Sequence, residues 1–408
     1  MPESLREERI RKVAVLKEKG INPYPSSLVK KEEIKQILTR KPGQKVKAAG
    51  RIMLFREMGK ITFIQIQDES GKIQLVLNKN KFSQDYKFWL KNLDLGDFIF
   101  VKGERFDTKK GESSILVENL KLLSKAMRPL PSKFGQLKDD DKRQRFRELE
   151  MISNREVFEK FKRRSEAIKT IRQFMWKNGF TEVETPILQS VYGGTYAKPF
   201  VTHYNALDFD LYLRIAPEMF LKRAITGGFE RVFEIGKCFR NEGMDPSHLQ
   251  EFTMFEFYWA YADYNKLMDF TEKLIDEIIK KVYGGSYCVK LGGNKIDLKP
   301  PYPRVSFKEI VKKYLKVDLR QIDNQDKLAK FVKDRALQKE LDFSGKVGWA
   351  AQIDELYKKK IRPYLIQPVF ITDYPKEFVA LAKEKEDDKN LVGTFQLVLN
   401  TWELLKAY

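Results

Sequence analysis

Arg231-Val-Phe-Glu-Ile-Gly-Lys-Cys-Phe-Arg240-Asn-Glu-Gly243, followed after a short loop by Glu251-Phe-Thr-Met-Phe-Glu256-Phe-Tyr258-Trp259, is the stretch from which the fold can be argued outward. Both runs alternate apolar and polar residues, the period of a strand with two unlike faces. Joined by a charged loop, they predict a β-hairpin. In the first run Phe233, Ile235 and Phe239 share one face, opposite Glu234, Cys238 and Arg240. In the second, Phe255, Phe257 and Trp259 oppose Phe252, Met254, Glu256 and Tyr258. One side is core; the other presents Arg, Glu, Phe and Tyr to a polar ligand.

Glu256 is the residue hardest to place without a partner. A carboxylate among Phe252, Phe255, Phe257, Tyr258 and Trp259 is costly to bury unless a cation or donors satisfy it. Either a neighbouring lysine or a cationic substrate could supply that charge. Arg240 and Glu242 fit a structural ion pair, or an arginine gripping a phosphate or carboxylate in bidentate fashion. Glu218, after Ala216-Pro217, fits a first-turn acid favoured by the helix dipole, or a carboxylate placed to hold an amine. The Gly193-Gly194 pair fits a flexible loop or a close backbone approach to a ligand. His248 fits a surface histidine, and Cys238 a packing residue.

Length and composition bound the classes. A chain of 408 residues suggests two or three domains, and 42% apolar with 12% aromatic content is ample for their cores. The net charge of +20 either attracts a polyanion such as nucleic acid or reflects a basic proteome. With only two histidines, His203 and His248, serine-triad hydrolysis and multi-histidine metal centres are poorly supported. Two cysteines, Cys238 and Cys288, make no disulfide framework or zinc spacing. The charged N-terminus and the lack of a bilayer-length apolar run predict a cytoplasmic chain without membrane contact.

Four regions are expected along the chain. Residues 1–44 form a helical extension, with Leu5, Ile10, Val13 and Leu16 spaced for an amphipathic helix that stops at Gly20. Residues 45–124 carry five short strand-like runs (46–52, 61–67, 73–78, 97–106 and 114–122) separated by turn residues, which suit a small closed barrel of the oligonucleotide-binding type. Residues 125–154 read as a linker, with Arg128-Pro-Leu-Pro131 stiffening one end. Residues 155–408 form an α+β domain. It opens with a helix closing at Asn178-Gly179, continues through the extended Glu182–Pro186, and has a further helix over 266–281.

Taken together, these residues resemble the class II aminoacyl-tRNA synthetases, and the lysyl-tRNA synthetase family in particular. The segment from Ala49-Gly-Arg51 to Ile73-Gln-Leu75 is similar to that family's OB-fold anticodon-binding barrel. Ile171 through Pro186 is similar to its first motif, at the dimer interface. Phe239-Arg-Asn-Glu-Gly243 with Glu251-Phe-Thr253 is similar to its second. The implied fold is an OB-fold barrel followed by a catalytic domain whose antiparallel sheet is flanked by helices.

The implied reaction is lysine–tRNA ligation: ATP activates lysine to lysyl-adenylate, and the acyl group passes to the 3′ end of tRNA(Lys). Arg240 would be the catalytic residue, contacting the ATP α-phosphate and the substrate carboxylate. Glu242 would meet the adenine amino group, Phe252 would stack on the ring, and His248 would approach the outer phosphates. Gly194 and Glu218 would bind the lysine α-amino group, and Glu256 with Tyr258 the ε-ammonium. Lys406 stands where the family usually has asparagine near the substrate carboxylate, and Tyr408 aligns with an aromatic that packs on the lysine chain. Phe63, Gln74 and Glu118 match anticodon-reading positions.

Mg²⁺ would sit at the positions matching two family glutamates, here Gln396 and Glu403, so one ligand is weakened. A homodimer is implied. The family continues past Tyr408 into a third motif whose arginine binds ATP. That motif is absent from this chain, so a truncated chain with little or no activity of its own is expected. The alternatives are a catalytically inactive tRNA-binding relative, or an aspartyl or asparaginyl synthetase. For those two substrates Glu256 has the wrong sign.

Overall fold

The structure, a computed structural model, describes residues 3–26, 29–130, 139–195, 197–243, 248–379 and 381–408; Pro131 and Tyr196 lie outside the described residues. The chain divides into two compact units, Met1–Glu159 and Lys160–Tyr408.

The first unit is built on a closed barrel of five strands: β1 (Lys45–Met58), β2 (Ile61–Gln67), β3 (Lys72–Asn78), β4 (Phe98–Asp107) and β5 (Ser113–Ser124). Their order around the barrel is β1-β2-β3-β5-β4, with only β3 and β5 parallel. β1 is longer than its apolar run because it serves two neighbours. Its first half pairs with β4 and its second with β2, and a bulge between Ile52 and Leu54 redirects it. Alternate residues fill the interior, among them Ile64, Ile66, Ile73, Leu75, Leu77, Ile99, Val101, Ile115 and Val117. A helix, Tyr86–Asn92, is capped by Asp85 accepting from the Phe88 amide and plugs the barrel with Tyr86 and Trp89.

The N-terminal helix, Glu3–Glu18, departs from its expected apolar stripe. Leu16 is fully buried, but Leu5 and Ile10 are exposed while Arg9 is buried. Polar contacts hold the helix instead. Arg9 donates to the carbonyls of Leu95, Ala126 and Arg128, and Lys12 pairs with Asp94 at 2.8 Å. Lys125, itself buried, bridges Asp94 and Asp97. The start of the expected linker is therefore pinned to the barrel. The rest of that stretch holds two short helices, Asp140–Arg145 and Arg147–Ser153.

In the second unit the hairpin forms as its alternation requires. Arg231–Phe239 pairs with Glu251–Trp259 in a register that sets Glu234 opposite Glu256, Phe233 opposite Phe257 and Cys238 opposite Phe252. The strand Thr181–Glu182 adds in parallel to the outer edge. Behind the apolar face stand Met175 of the helix Arg155–Lys177, then Phe180, and Phe270 of the helix Tyr264–Tyr283. That second helix runs from an Asp263 N-cap to a left-handed Gly284.

A four-stranded sheet, Arg304–Ser306, Val369–Pro375, Leu391–Leu399 and Trp402–Ala407, is antiparallel except for its first pair. Between its first two strands a helical segment builds its own core. Phe307–Leu315, Gln325–Asp334 and Trp349–Lys360 pack Phe307, Leu328, Val332, Ile353 and Leu356 against Ile371 and Val398. A third sheet orders Leu188–Gln189, Phe209–Leu213 and Val201–Tyr204.

Barrel closure brings β4 against β5 so tightly at Gly103 that a Cβ there would sit 2.1 Å from the Leu116 carbonyl oxygen. Backbone cannot yield as a flexible side chain does, so Gly103→Ala is expected to destabilise the protein by about 2–3 kcal/mol. Thermal melting followed by circular dichroism checks this, and an unchanged midpoint would refute it.

Candidate functional site

Three segments converge on the polar face of the hairpin, and one buried ion pair joins them. Arg214 and Glu234 are 1% and 3% exposed, and Arg214 Nη1 donates to Glu234 Oε1 at 2.5 Å. Arg214 also donates to the Lys237 carbonyl at 2.7 Å and to Thr185 Oγ1 at 2.9 Å; Thr185 Oγ1 in turn donates to Glu234 Oε2 at 2.6 Å. Both charges are thereby paired and hydrogen-bonded, the condition under which a buried pair is tolerated. The guanidinium crosses the hairpin over Gly236, where a Cβ would lie 2.1 Å from Nη2.

Directly after Arg214 the chain enters the helix Glu218–Thr226. Glu218, its first residue, is buried and accepts from Lys222 Nζ at 2.7 Å and from the Tyr408 hydroxyl. Lys222 Nζ also lies 3.4 Å from the Tyr408 hydroxyl oxygen. Gly194 sits against the same carboxylate. At its φ of +97°, a Cβ would lie 3.1 Å from Glu218 Cβ and 3.2 Å from Ala216 Cβ, so only glycine fits there.

On the hairpin itself Arg240 lies over the Phe252 ring, 5.1 Å from its centroid, with Nε donating to the Ile215 carbonyl at 3.4 Å. No Arg240–Glu242 ion pair forms among the described residues; Glu242 and His248 are both exposed in the hairpin loop. Glu256 accepts from the Tyr258 hydroxyl at 3.3 Å, and no lysine neutralises it among the described residues. Burial, and then the charge of Glu218, push its carboxyl up to about 7; Tyr258 and Arg240 offset this only in part. Burial also keeps the Tyr258 hydroxyl protonated and pushes the Cys238 thiol up to about 11, as expected of a packing residue.

The remaining residues fall in two places. Gln396 is buried, and its Oε1 accepts from the Tyr374 hydroxyl at 2.9 Å. On the neighbouring strand Lys406 stands opposite Gln396 and Glu403 opposite Val398. Among the described residues no cluster of three metal-binding side chains forms. On the barrel, the alternation that sends Ile64, Leu75 and Val117 inward turns Phe63, Gln74 and Glu118 outward on the adjacent strands β2, β3 and β5. Gln74 Nε2 donates to Ser114 Oγ at 2.9 Å, and Glu118 pairs with Lys45.

Sequence reasoning passed over Arg214, Thr185, Gly236 and Lys222. The i, i+4 spacing of Glu218 and Lys222 was a local signal available for one of them. The others are joined only by the fold.

Residues 139–408 match the family described as tRNA synthetases class II (D, K and N), and residues 46–123 match the OB-fold nucleic acid binding domain. The chain is similar to a lysine–tRNA ligase of Dehalococcoides mccartyi, 41% identical over all of this chain and 83% of the relative. It is also similar to lysine–tRNA ligases of Magnetococcus marinus (41% identical, 97% of this chain, 80% of the relative) and Clostridium novyi (41%, 99% and 80%).

Gly236→Ala drives a methyl group into a guanidinium held in place by hydrogen bonds to Glu234, the Lys237 carbonyl, and the hydroxyl and carbonyl of Thr185. A loss of about 3 kcal/mol is expected. Urea denaturation reads it as a lower midpoint, and a wild-type midpoint would show that Arg214 is free to move aside.

Proposed function

The chain belongs to the class II tRNA synthetases of the D, K and N group, and from that membership we propose that it is a lysine–tRNA ligase. One observation carries the choice of lysine. The carboxylate of Glu218 lies close enough to Glu256 to help raise the Glu256 carboxyl, in a site whose other nearby anion, Glu234, is already paired with Arg214. A substrate bearing two ammonium groups satisfies both. The acidic or neutral side chain of aspartate or asparagine would leave Glu256 without a cation.

Activation needs no protein nucleophile. The lysine carboxylate attacks the α-phosphorus of ATP, the bond to pyrophosphate breaks, and a mixed anhydride forms. What the protein must do is align two anions and neutralise their repulsion. In this reading Arg240 bridges the α-phosphate and the carboxylate, and Phe252, which lies under its guanidinium in the free protein, offers a face to adenine. Glu242 takes the adenine amino group and His248 the outer phosphates. Glu218 takes the α-amino group beside Gly194, exchanging its bond to Lys222 for one to the substrate. Glu256 and Tyr258 take the ε-ammonium, Tyr408 packs on the lysine chain, and Lys406 adds a cation near the carboxylate.

Glu403, with Gln396 engaged by Tyr374, would offer one carboxylate to a Mg²⁺ ion carried mainly by nucleotide phosphates, and such an ion would supply positive charge against those phosphates. The acyl group then passes to the 3′ end of tRNA(Lys), whose anticodon meets Phe63, Gln74 and Glu118 by stacking and base-edge hydrogen bonds. We assign residues 1–44 to an extension, 45–124 to anticodon binding, 125–154 to a linker and 155–408 to catalysis. The helix Arg155–Lys177 is assigned to a homodimer interface, and the chain to the cytoplasm. A second reading, an RNA-binding relative that does not activate lysine, is favoured by Gln396.

ATP–pyrophosphate exchange with lysine, aspartate or asparagine tests the assignment. Exchange with lysine alone is expected; preference for aspartate would overturn it, and lysine binding without exchange would favour the second reading.

The pH dependence has a definite sign. Free Glu256 is mostly protonated below pH 7 and ionised above it, whereas an ammonium ligand requires the anion. Lysine binding therefore tightens as pH rises from 6 to 8 and expels a proton near pH 7. For the free fold the sign is opposite. The native state holds this proton more tightly than the unfolded chain, so the stability Glu256 contributes fades as pH rises through about 7. Glu256→Gln should weaken lysine binding by roughly tenfold or more, leave ATP binding unchanged and flatten the pH profile. Calorimetry in two buffers of different ionisation enthalpy measures all three. Equal losses for both ligands would remove Glu256 from the ammonium site.

A further inference from the structure

In the second unit, the helical segment between Phe307 and Tyr364 carries a groove lined by residues that no step above uses. Tyr314, Phe331, Arg335, Leu337, Lys360 and Tyr364 line it, enclosing about 360 Å³. Tyr314 and Tyr364 lie nearly parallel, with ring centroids 5.9 Å apart and planes 20° from one another. Tyr364 is 65% exposed and Tyr314 is half-buried.

The charges around the groove are of one dominant sign. Lys313 Nζ sits 5.4 Å from the Tyr314 ring centroid, and the Arg335 guanidinium 5.4 Å from that of Phe331. Neither cation has a carboxylate partner among the described residues, whereas Lys360 pairs with Glu340. Over the whole segment fifteen lysines and arginines stand against nine aspartates and glutamates. An exposed ring stacked on a half-buried one, flanked by unpaired cations, is what a single-stranded nucleic acid uses: bases stack on aromatic faces while phosphates meet the cations.

We propose that this groove binds an unpaired segment of the substrate tRNA, stacking a base on Tyr364 and Tyr314 with Arg335 and Lys313 on the adjoining phosphates. The choice of tRNA as the RNA rests on the function proposed above; the chemistry of the groove does not. It gives the protein an RNA contact separate from the anticodon face. It also accounts for a basic surface that the activation of lysine does not need.

Tyr364→Ala and Arg335→Gln alter exposed side chains outside the core, and Lys308→Gln removes an equally exposed charge of the same segment outside the groove. Filter binding of tRNA(Lys) transcript and of an unstructured oligoribonucleotide is measured from 50 to 200 mM salt, alongside ATP–pyrophosphate exchange without tRNA. Tyr364→Ala should weaken tRNA binding roughly tenfold. Arg335→Gln should weaken it and reduce the salt slope by about one. Lys308→Gln should do neither, and exchange should be unchanged throughout.

Wild-type affinity for tRNA in Tyr364→Ala would overturn the proposal. So would equal losses from Arg335→Gln and Lys308→Gln with none from Tyr364→Ala, which would signify an unspecific field. Competition by polyglutamate as strong as that by the oligoribonucleotide would point to an acidic peptide and overturn it as well. Loss of the oligoribonucleotide alone, with tRNA binding intact, would refute tRNA as the occupant. If wild-type protein shows no exchange with any amino acid, the ligase reading fails while RNA binding still tests the groove.

Discussion

The second unit depends on one buried ion pair. Arg214 and Glu234 are taken out of water together, at a cost that their attraction alone does not offset. The Thr185 hydroxyl and the Lys237 carbonyl complete the hydrogen bonding and make the arrangement tolerable. The same contacts tie the segment after Thr181–Glu182, the hairpin and the approach to the helix Glu218–Thr226 into one body. With Arg214 fixed, the Phe239 amide finds the Arg214 carbonyl at 2.9 Å, and Ile215 presents its carbonyl to Arg240. Glu218 follows three residues further along. The position of the ligand-facing side chains is thus a consequence of where one guanidinium must sit, and Gly236 is the opening that lets it sit there.

Charge is organised on two scales. Over the whole chain the excess is +20, a field that draws a polyanion from a distance and is screened over a Debye length. Within the hairpin site the local sign is reversed. Glu218 and Glu256 stand together and only Glu218 has a resident cation, so Glu256 holds its proton up to about pH 7. Lys222 is the nearest thing to a substrate ammonium in the free protein. Glu218 is buried while Lys222 is partly exposed, so the lysine can return to water once an incoming amine takes its place on the carboxylate. A basic protein with an acidic pocket separates the recognition of RNA from the recognition of a small cation.

Much of this was legible in the linear chain because it rests on periodicity. Alternation in 231–239 and 251–259 correctly separated Phe233, Phe255 and Phe257 from Glu234, Arg240, Glu256 and Tyr258, since a strand offers its residues only two directions. The five barrel strands and the helix expected over 266–281, which spans Tyr264–Tyr283, followed from equally local signals. Where local pattern misled, a distant partner was responsible. The stripe of Leu5, Ile10, Val13 and Leu16 looked amphipathic, yet that helix is held through Arg9 and Lys12 by residues 82 to 119 positions away. β1 outran its apolar run because two different strands claim its two halves.

The faces of the strands, the burial cost of Glu256 and the excess of positive charge were properties of neighbouring residues and of composition, so they could be read before any folding was known. The pairing of Arg214 with Glu234, the capture of Glu218 by Lys222 and Tyr408, the engagement of Gln396 by Tyr374 and the meeting of Tyr314 with Tyr364 could not. Each joins groups whose approach is set by how strands and helices pack, and a side chain's charge or ring does not specify its partner until packing brings one within reach.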